Sequence, residues 1–168
     1  GGKTAVFVDP AANEFGTESI EIAVHDPDNA YSTTNNFILK VDPVPDPPTF
    51  WPASTNSWAF LLTEDTPMSF DIPYRAFSFS NTNEYGYKDV DSPTNELTIA
   101  IVSAATNSSL WSSSPAIVGS PGAWSLSAAP ATNQFGIDSV SIRVTDAEGL
   151  SATNQIVVYV RPVEESPV

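Results

Sequence analysis

Residues 133–167 read NQFGIDSVSIRVTDAEGLSATNQIVVYVRPVEESP. The same plan occurs upstream, at 13–48, as NEFGTESIEIAVHDPDNAYSTTNNFILKVDPVPDPP. Asn13, Phe15, Gly16, Ser19, Ile22, Val24 and Asp26 fall on Asn133, Phe135, Gly136, Ser139, Ile142, Val144 and Asp146. The register slips by one residue in the loop and then resumes. Ser32, Thr34, Asn35, Val41, Pro43, Val44 and Pro48 match Ser151, Thr153, Asn154, Val160, Pro162, Val163 and Pro167. A turn, strand, acidic loop, strand and Pro-rich exit recurring after ~120 residues marks a tandem array of one supersecondary plan.

Each copy reads as a hairpin. Residues 19–25 (SIEIAVH) alternate, with Ile20, Ile22 and Val24 on one face and Glu21 and Ala23 on the other, the pattern of a half-buried antiparallel strand. Residues 36–41 (NFILKV) return. The turn at 13–16 uses Gly16 for the positive φ such turns require. Residues 4–8 (TAVFV) read as a further short strand, closed by Asp9-Pro10. Residues 42–48 (DPVPDPP) hold four prolines, which cannot donate ladder hydrogen bonds, so this is an extended linker.

Residues 1–46 thus supply about three strands and a linker, the C-terminal part of one repeat. An antiparallel sandwich of this kind uses about seven strands, so this piece cannot close a core by itself. Residues 47–168 hold a complete repeat: WAFLL after a break at Pro52, an alternating MSFDI at 68–72, LTIAIV at 97–102, and weaker strands at 110–118 and 123–127. Residues 73–88 form an aromatic, Asn-rich excursion, and the second copy of the duplicated unit ends the repeat. The fold class is all-β, a Greek-key sandwich in tandem repeats. Trp111 and Trp124 read as core, and Trp51 as a brace for the linker.

The composition agrees. Of 168 residues 41% are hydrophobic and 15% charged, with 15 Pro and 8 Gly, and no long helical pattern is present. Twenty acidic residues against six basic ones give a net charge of −14, which opposes nucleic-acid backbones and anionic membrane surfaces. Small cations are the natural counter-ligands, although an acidic surface also serves solubility. There is no cysteine, hence no disulfide framework and no thiolate site. No apolar run approaches the ~20 residues of a membrane helix, so membrane insertion of this segment is not expected.

With these pieces placed, the chain resembles the cadherin-like, Ig-like tandem repeats of very large bacterial cell-surface and secreted proteins. The resemblance is carried by Glu64-Asp65-Thr66-Pro67, by Asp89-Val90-Asp91 before a strand, and by PATNQFG at 130–136. It continues through VTDAEG at 144–149 and PVEESP at 162–167, which is paralleled by PVPDPP at 43–48. It implies an extracellular or cell-surface location and a rod of Ig-like modules stiffened by Ca²⁺ at the junctions. Carried over by position, Asp42 and Asp46 of the linker would join Asp89, Asp91 and Asp146 at the N-terminal end of the complete repeat. Glu64 and Asp65, beside Glu164 and Glu165, would serve the junction at the opposite end. The linkers lack the Asp/Asn-rich run of animal cadherins.

The residues also stand on their own chemistry. In an extended segment, positions i and i+2 share a side, so Asp89 and Asp91 can converge on one hard cation. A solvated acidic turn closed by Ser92 and Pro93 accounts for the same two residues. Asp26 and Asp146 end equivalent strands, where an Asx-turn competes with a metal role. His25 is the sole histidine and is replaced by Thr145 in the other copy, so it marks no shared site. A zinc centre or a Ser/His nucleophile lacks materials. Tyr74, Tyr85 and Tyr87 are candidates for a surface contact, whereas Phe77 and Phe79 alternate with serines and read as core.

The sequence therefore predicts a non-catalytic structural or adhesive module. Its partners would be neighbouring repeats or neighbouring copies of the chain, and glycans or cell-surface proteins. Two other readings remain open: a carbohydrate-binding module of a secreted enzyme, which needs an aromatic platform at 74–87, and a filament subunit assembling by strand exchange through residues 1–46.

Overall fold

The computed structural model describes residues 5–25, 28, 32–52, 57–74 and 85–164. Internal contacts divide the chain into two compact units, Gly1–Pro45 and Asp46–Val168.

The larger unit is an all-β sandwich. Strands β1 (Gly16–His25) and β2 (Ser32–Val41) belong to the smaller unit, and β3 (Thr49–Trp51) opens the larger one. Then follow β4 (Ser57–Thr63), β5 (Met68–Ile72), β6 (Gly86–Lys88), β7 (Thr98–Ser103), β8 (Trp111–Ser120), β9 (Ala123–Pro130), β10 (Gly136–Thr145) and β11 (Ser151–Arg161). One sheet runs β4-β11-β10-β7 and the other β5-β9-β8, while β3 pairs with β6. Among these ladders only β4 on β11 is parallel, which requires the chain to cross between sheets rather than turn back on itself.

The duplicated stretch forms the centre of the four-stranded sheet. Along β10, Asp138, Val140, Ile142 and Val144 are buried and alternate with less buried Ser139, Ser141 and Arg143. Along β11, Asn154, Ile156, Val158 and Val160 do the same. These β-branched rows meet Met68, Ile72, Leu126 and Ala128 of the other sheet, with Trp58, Tyr87, Leu97, Leu110 and Trp111 in one cluster. Each such side chain contributes ~1.5–3 kcal/mol by leaving water. Trp58 Nε1 donates to the Trp51 carbonyl at 2.9 Å, tying β4 to the segment before it.

Among the described residues, the smaller unit repeats the hairpin without an opposing sheet. Its register, from Gly16↔Val41 to His25↔Ser32, mirrors Gly136↔Val160 to Thr145↔Ser151. Even the entry turn is shared, since Asn13 and Asn133 adopt φ of 62° and 58°. Glu14 N–H donates to Ala11 O, as Gln134 N–H donates to Ala131 O. The apolar face differs. Ile22 and Val24 are 37% and 61% exposed, where Ile142 and Val144 are fully buried.

Two expectations change. Residues 5–8 form no strand, and Val6, Phe7 and Val8 are exposed. Among the described residues no strand pairs with this apolar run, and β propensity alone does not hold one. Strands β8 and β9 are longer than the predicted 110–118 and 123–127, because each completes the other's hydrogen bonds.

Candidate functional site

The linker enters the larger unit at Asp46, whose N–H donates to Asp91 Oδ2 at 3.0 Å. Asp91 belongs to a bend built on Asp89, whose Oδ1 accepts the N–H groups of Asp91 at 3.1 Å and Ser92 at 2.9 Å. This is an Asx-type turn, and it holds the i and i+2 carboxylates together just before the one-turn 3₁₀ helix Thr94–Glu96. Asp89 is only 7% exposed. Asp89 Oδ2 and Asp91 Oδ1 are buried and have no donor. The two side chains interact directly, and as carboxylates they set acceptor against acceptor. Burial, then the contact with Asp91, pushes the Asp89 carboxyl above its usual range. The contact with Asp89 holds Asp91 below it. Such a pair retains a proton between its members or takes up a cation. Tyr74 lies close by, its phenol raised by burial and then by the Asp89 charge.

Asp146 follows β10 at the same end of the sandwich, where Thr145 pairs with Thr98, the first residue of β7. Asp146 Oδ1 accepts the Leu150 N–H at 2.7 Å, and its own N–H donates to Leu150 O, so the residue pins its loop. Its Oδ2 is buried without a donor. Asp26, its counterpart, lies outside the described residues, as do Phe77, Phe79 and Glu165. Asp42 belongs to the smaller unit, is exposed and pairs with Lys40. Among the described residues, no three His, Cys, Asp or Glu side chains gather closely enough to hold a metal ion.

At the opposite end, Glu64 N–H donates to Arg161 O at 2.9 Å, and Glu64 Oε1 accepts the Val163 N–H at 2.7 Å. Glu64 therefore guides the exit strand. Its Oε2 is buried and has no donor. Asp65, in a turn with φ 61°, accepts the Asn133 N–H at 3.3 Å.

The tyrosines do not form an exposed platform. Tyr87 is fully buried in β6, with the Tyr74 ring 5.6 Å away. Tyr85 packs against Trp58 at 5.3 Å and Phe60 at 5.2 Å. Tyr87 is thus a core residue, because its ring packs into the hydrophobic cluster of the sandwich.

One carboxylate escaped the sequence reading. Asp138 sits in phase with Val140, Ile142 and Val144 and is 4% exposed. It accepts from Thr106 N and Oγ1, Asn107 N, Ser139 N and Trp111 Nε1. The signal was available: Glu18 occupies the same inward phase in the first copy.

Solved structures of similar fold include protocadherin gamma B2 extracellular cadherin domains 1–5, with TM-score 0.63, 18% identity, and coverage of 89% of this chain and 27% of that one. The protocadherin gammaB7 EC3-6 cis-dimer gives TM-score 0.58, 17% identity, and coverage of 86% and 32%. An endo-fucoidan hydrolase from glycoside hydrolase family 107 gives 0.51, 20% identity, and 92% and 20%. At these identities the likeness is one of fold, and the chain spans no more than about a third of these three structures. No curated protein sequence matches the chain. Residues 45–159 match the profile described as Bacterial Ig domain, a span that takes in the Asp46–Asp91 contact and all of the sandwich strands but the last two residues of β11. The chain belongs to the bacterial Ig domain family.

Proposed function

We propose that the chain is an extracellular, non-catalytic spacer and adhesive repeat whose larger unit takes Ca²⁺ where the linker enters. The observation that carries this reading is the pair of buried, donorless oxygens, Asp89 Oδ2 and Asp91 Oδ1, held side by side next to Asp46. Unpaired buried acceptors cost free energy, and a divalent cation removes that cost. The donor set is all oxygen, as Ca²⁺ requires. Asp89 and Asp91 would hold the ion, with backbone carbonyls and water completing its shell. Glu64 and Asp65 would play the same part toward a following repeat. The ion would supply charge neutralisation and would stiffen the linker.

Melting the full chain in chelator, Ca²⁺, Mg²⁺ and ionic-strength-matched NaCl tests this. The salt control is needed because screening alone stabilises an acidic protein. Ca²⁺ at ~100 times its Kd adds ~2.7 kcal/mol. That gain should exceed both controls and disappear in Asp89→Asn with Asp91→Asn. Equal effects of Ca²⁺ and Mg²⁺, or a full response in the double variant, would end the proposal.

A further inference from the structure

A cavity of about 270 Å³ opens at the entry turn of the β1–β2 hairpin, and its lining includes Pro10, Ala11, Glu14, Glu18, Leu39 and Val41. Glu18 lies directly opposite Leu39, in phase with Ile20, Ile22 and Val24. It is the one carboxylate in this apolar row of β1, and it is exposed. Once such a face is covered, a carboxylate on it needs donors.

The larger unit shows what this position receives. Pro130, Ala131 and Asp138 stand where the smaller unit has Pro10, Ala11 and Glu18. The two hairpins share their register and their entry turn. In the larger unit all three positions are engaged by two consecutive residues at the start of β8. Trp111 pairs with Pro130 across the ladder. Leu110 O accepts the Ala131 N–H at 2.9 Å, and the Trp111 indole N–H reaches Asp138 Oδ2 at 2.7 Å. Leu110 and Trp111 are 1% and 7% exposed. The cavity beside Glu18 is the counterpart of this strand-entry site, and Glu18 is the counterpart of the indole acceptor.

Charge narrows the occupant further. Glu14 replaces Gln134 at the rim, so the cavity has two carboxylates where the larger unit has one. An anionic ligand is opposed by both, and a small apolar one would cover Glu18 without giving it a donor. A strand of the β8 kind meets both conditions. Residues 104–120 (AATNSSLWSSSPAIVGS) carry no charged side chain in a chain of net charge −14. Their indole and backbone N–H groups are donors of the sort a carboxylate accepts. The chain's own β8 is already paired with β9, and its Trp111 is held by Asp138, so the occupant is another polypeptide.

We infer that this cavity takes an extended, uncharged polypeptide segment that enters with a tryptophan. Its indole N–H donates to Glu18, and its backbone docks along Ala11 as Leu110 docks along Ala131. The site is separate from the Asp89–Asp91 pair and does not depend on the cation.

A labelled synthetic peptide with the sequence of residues 104–120, added to the full chain and followed by fluorescence anisotropy, tests the assignment. The peptide should bind, and Trp111→Ala within the peptide should weaken it about tenfold or more. Glu18→Ala in the chain should weaken it to a similar degree, with the melting of the larger unit unaltered because Glu18 is exposed and lies outside that unit. Amide exchange with the peptide bound should slow in β1 and β2 and stay unchanged in β10 and β11. No binding, equal binding of the Trp111→Ala peptide, an unaffected Glu18→Ala chain, or protection confined to β10 and β11 would each overturn the proposal. Loss of peptide binding as the chain is concentrated would give the cavity to a second copy, and would overturn it too.

Discussion

The indole N–H of Trp111 donates a 2.7 Å hydrogen bond to Oδ2 of Asp138, and both side chains are buried. Trp111 opens β8, in one sheet, and Asp138 lies on β10, in the other. Asp138 Oδ1 takes the remaining donors of the 106–107 turn and Ser139, except Asn107 N–H, which shares Oδ2. One carboxylate thereby links the two sheets and fixes the turn between β7 and β8.

Asp138→Asn should be severely destabilising despite its near-identical shape. Whichever way the amide is placed, its NH₂ faces N–H donors that lose their acceptor, at a cost of about 2–4 kcal/mol. Trp111→Phe keeps an aromatic ring, deletes one donor, and should cost about 1–2 kcal/mol. Urea unfolding of both singles and the double gives the coupling between them. If the two single losses simply add, the bond does not join the sheets energetically.

The same carboxylate has a pH signature. Burial acts to raise it, but the donors from Trp111, Thr106 and Ser139 outweigh burial and hold it below its usual range. A depressed carboxyl contributes stability above its unfolded value, about 3.9, and loses it as pH falls through the folded value. The stability gap between the native chain and Asp138→Asn should be full at neutral pH and shrink under stronger acid. A gap that persists unchanged in acid would show that charge plays no part.

Much of this architecture was legible because period-2 alternation survives in the strands. Val140, Ile142 and Val144 against Ile156, Val158 and Val160 declare a buried face, and residues 68–72 form a strand as expected. Alternation cannot report partners. That is why 5–8 reads as a strand and is none, and why Tyr87 reads as surface although its ring lies in the core cluster. The Asp89–Asp91 bend was visible from spacing and chain position. Asp138 was not, because an acidic residue suggests solvent unless its phase against the apolar neighbours is weighed first.

For the calcium-free protein, Asp89→Asn should be stabilising at neutral pH. Asp89 is held high, by burial and then by Asp91, so its contribution is full below the unfolded value and lost as pH rises through the folded one. Asp91, held low, behaves in the opposite sense. The substituted side chain retains an Oδ1 acceptor for the N–H groups of Asp91 and Ser92, and its amide supplies the donor Asp91 lacks. Melting in chelator should show the gain at about pH 7 and its disappearance below about pH 4, where native Asp89 is itself protonated. A lower melting temperature for the variant at neutral pH would show that these carboxylates do not oppose one another.

The last prediction compares one position in two settings. Ile22 and Ile142 occupy the same place in the same hairpin, yet Ile22 is 37% exposed and Ile142 fully buried. Ile142→Ala should cost about 2–5 kcal/mol, because it removes methyl groups from a packed core. Ile22→Ala should stay within about 0.5 kcal/mol in the dilute monomer, because the side chain there is only partly shielded from water. In the larger unit, β4 adds to β11 in parallel and β7 to β10 antiparallel, and the smaller unit provides neither addition among its described residues. If neighbouring copies supply those strands, amide exchange in β1 and β2 should slow as concentration rises, and Ile22→Ala should then reduce association rather than monomer stability. A dilute monomer in which Ile22→Ala costs as much as Ile142→Ala, with β1 and β2 already protected, would show that the hairpin is complete by itself.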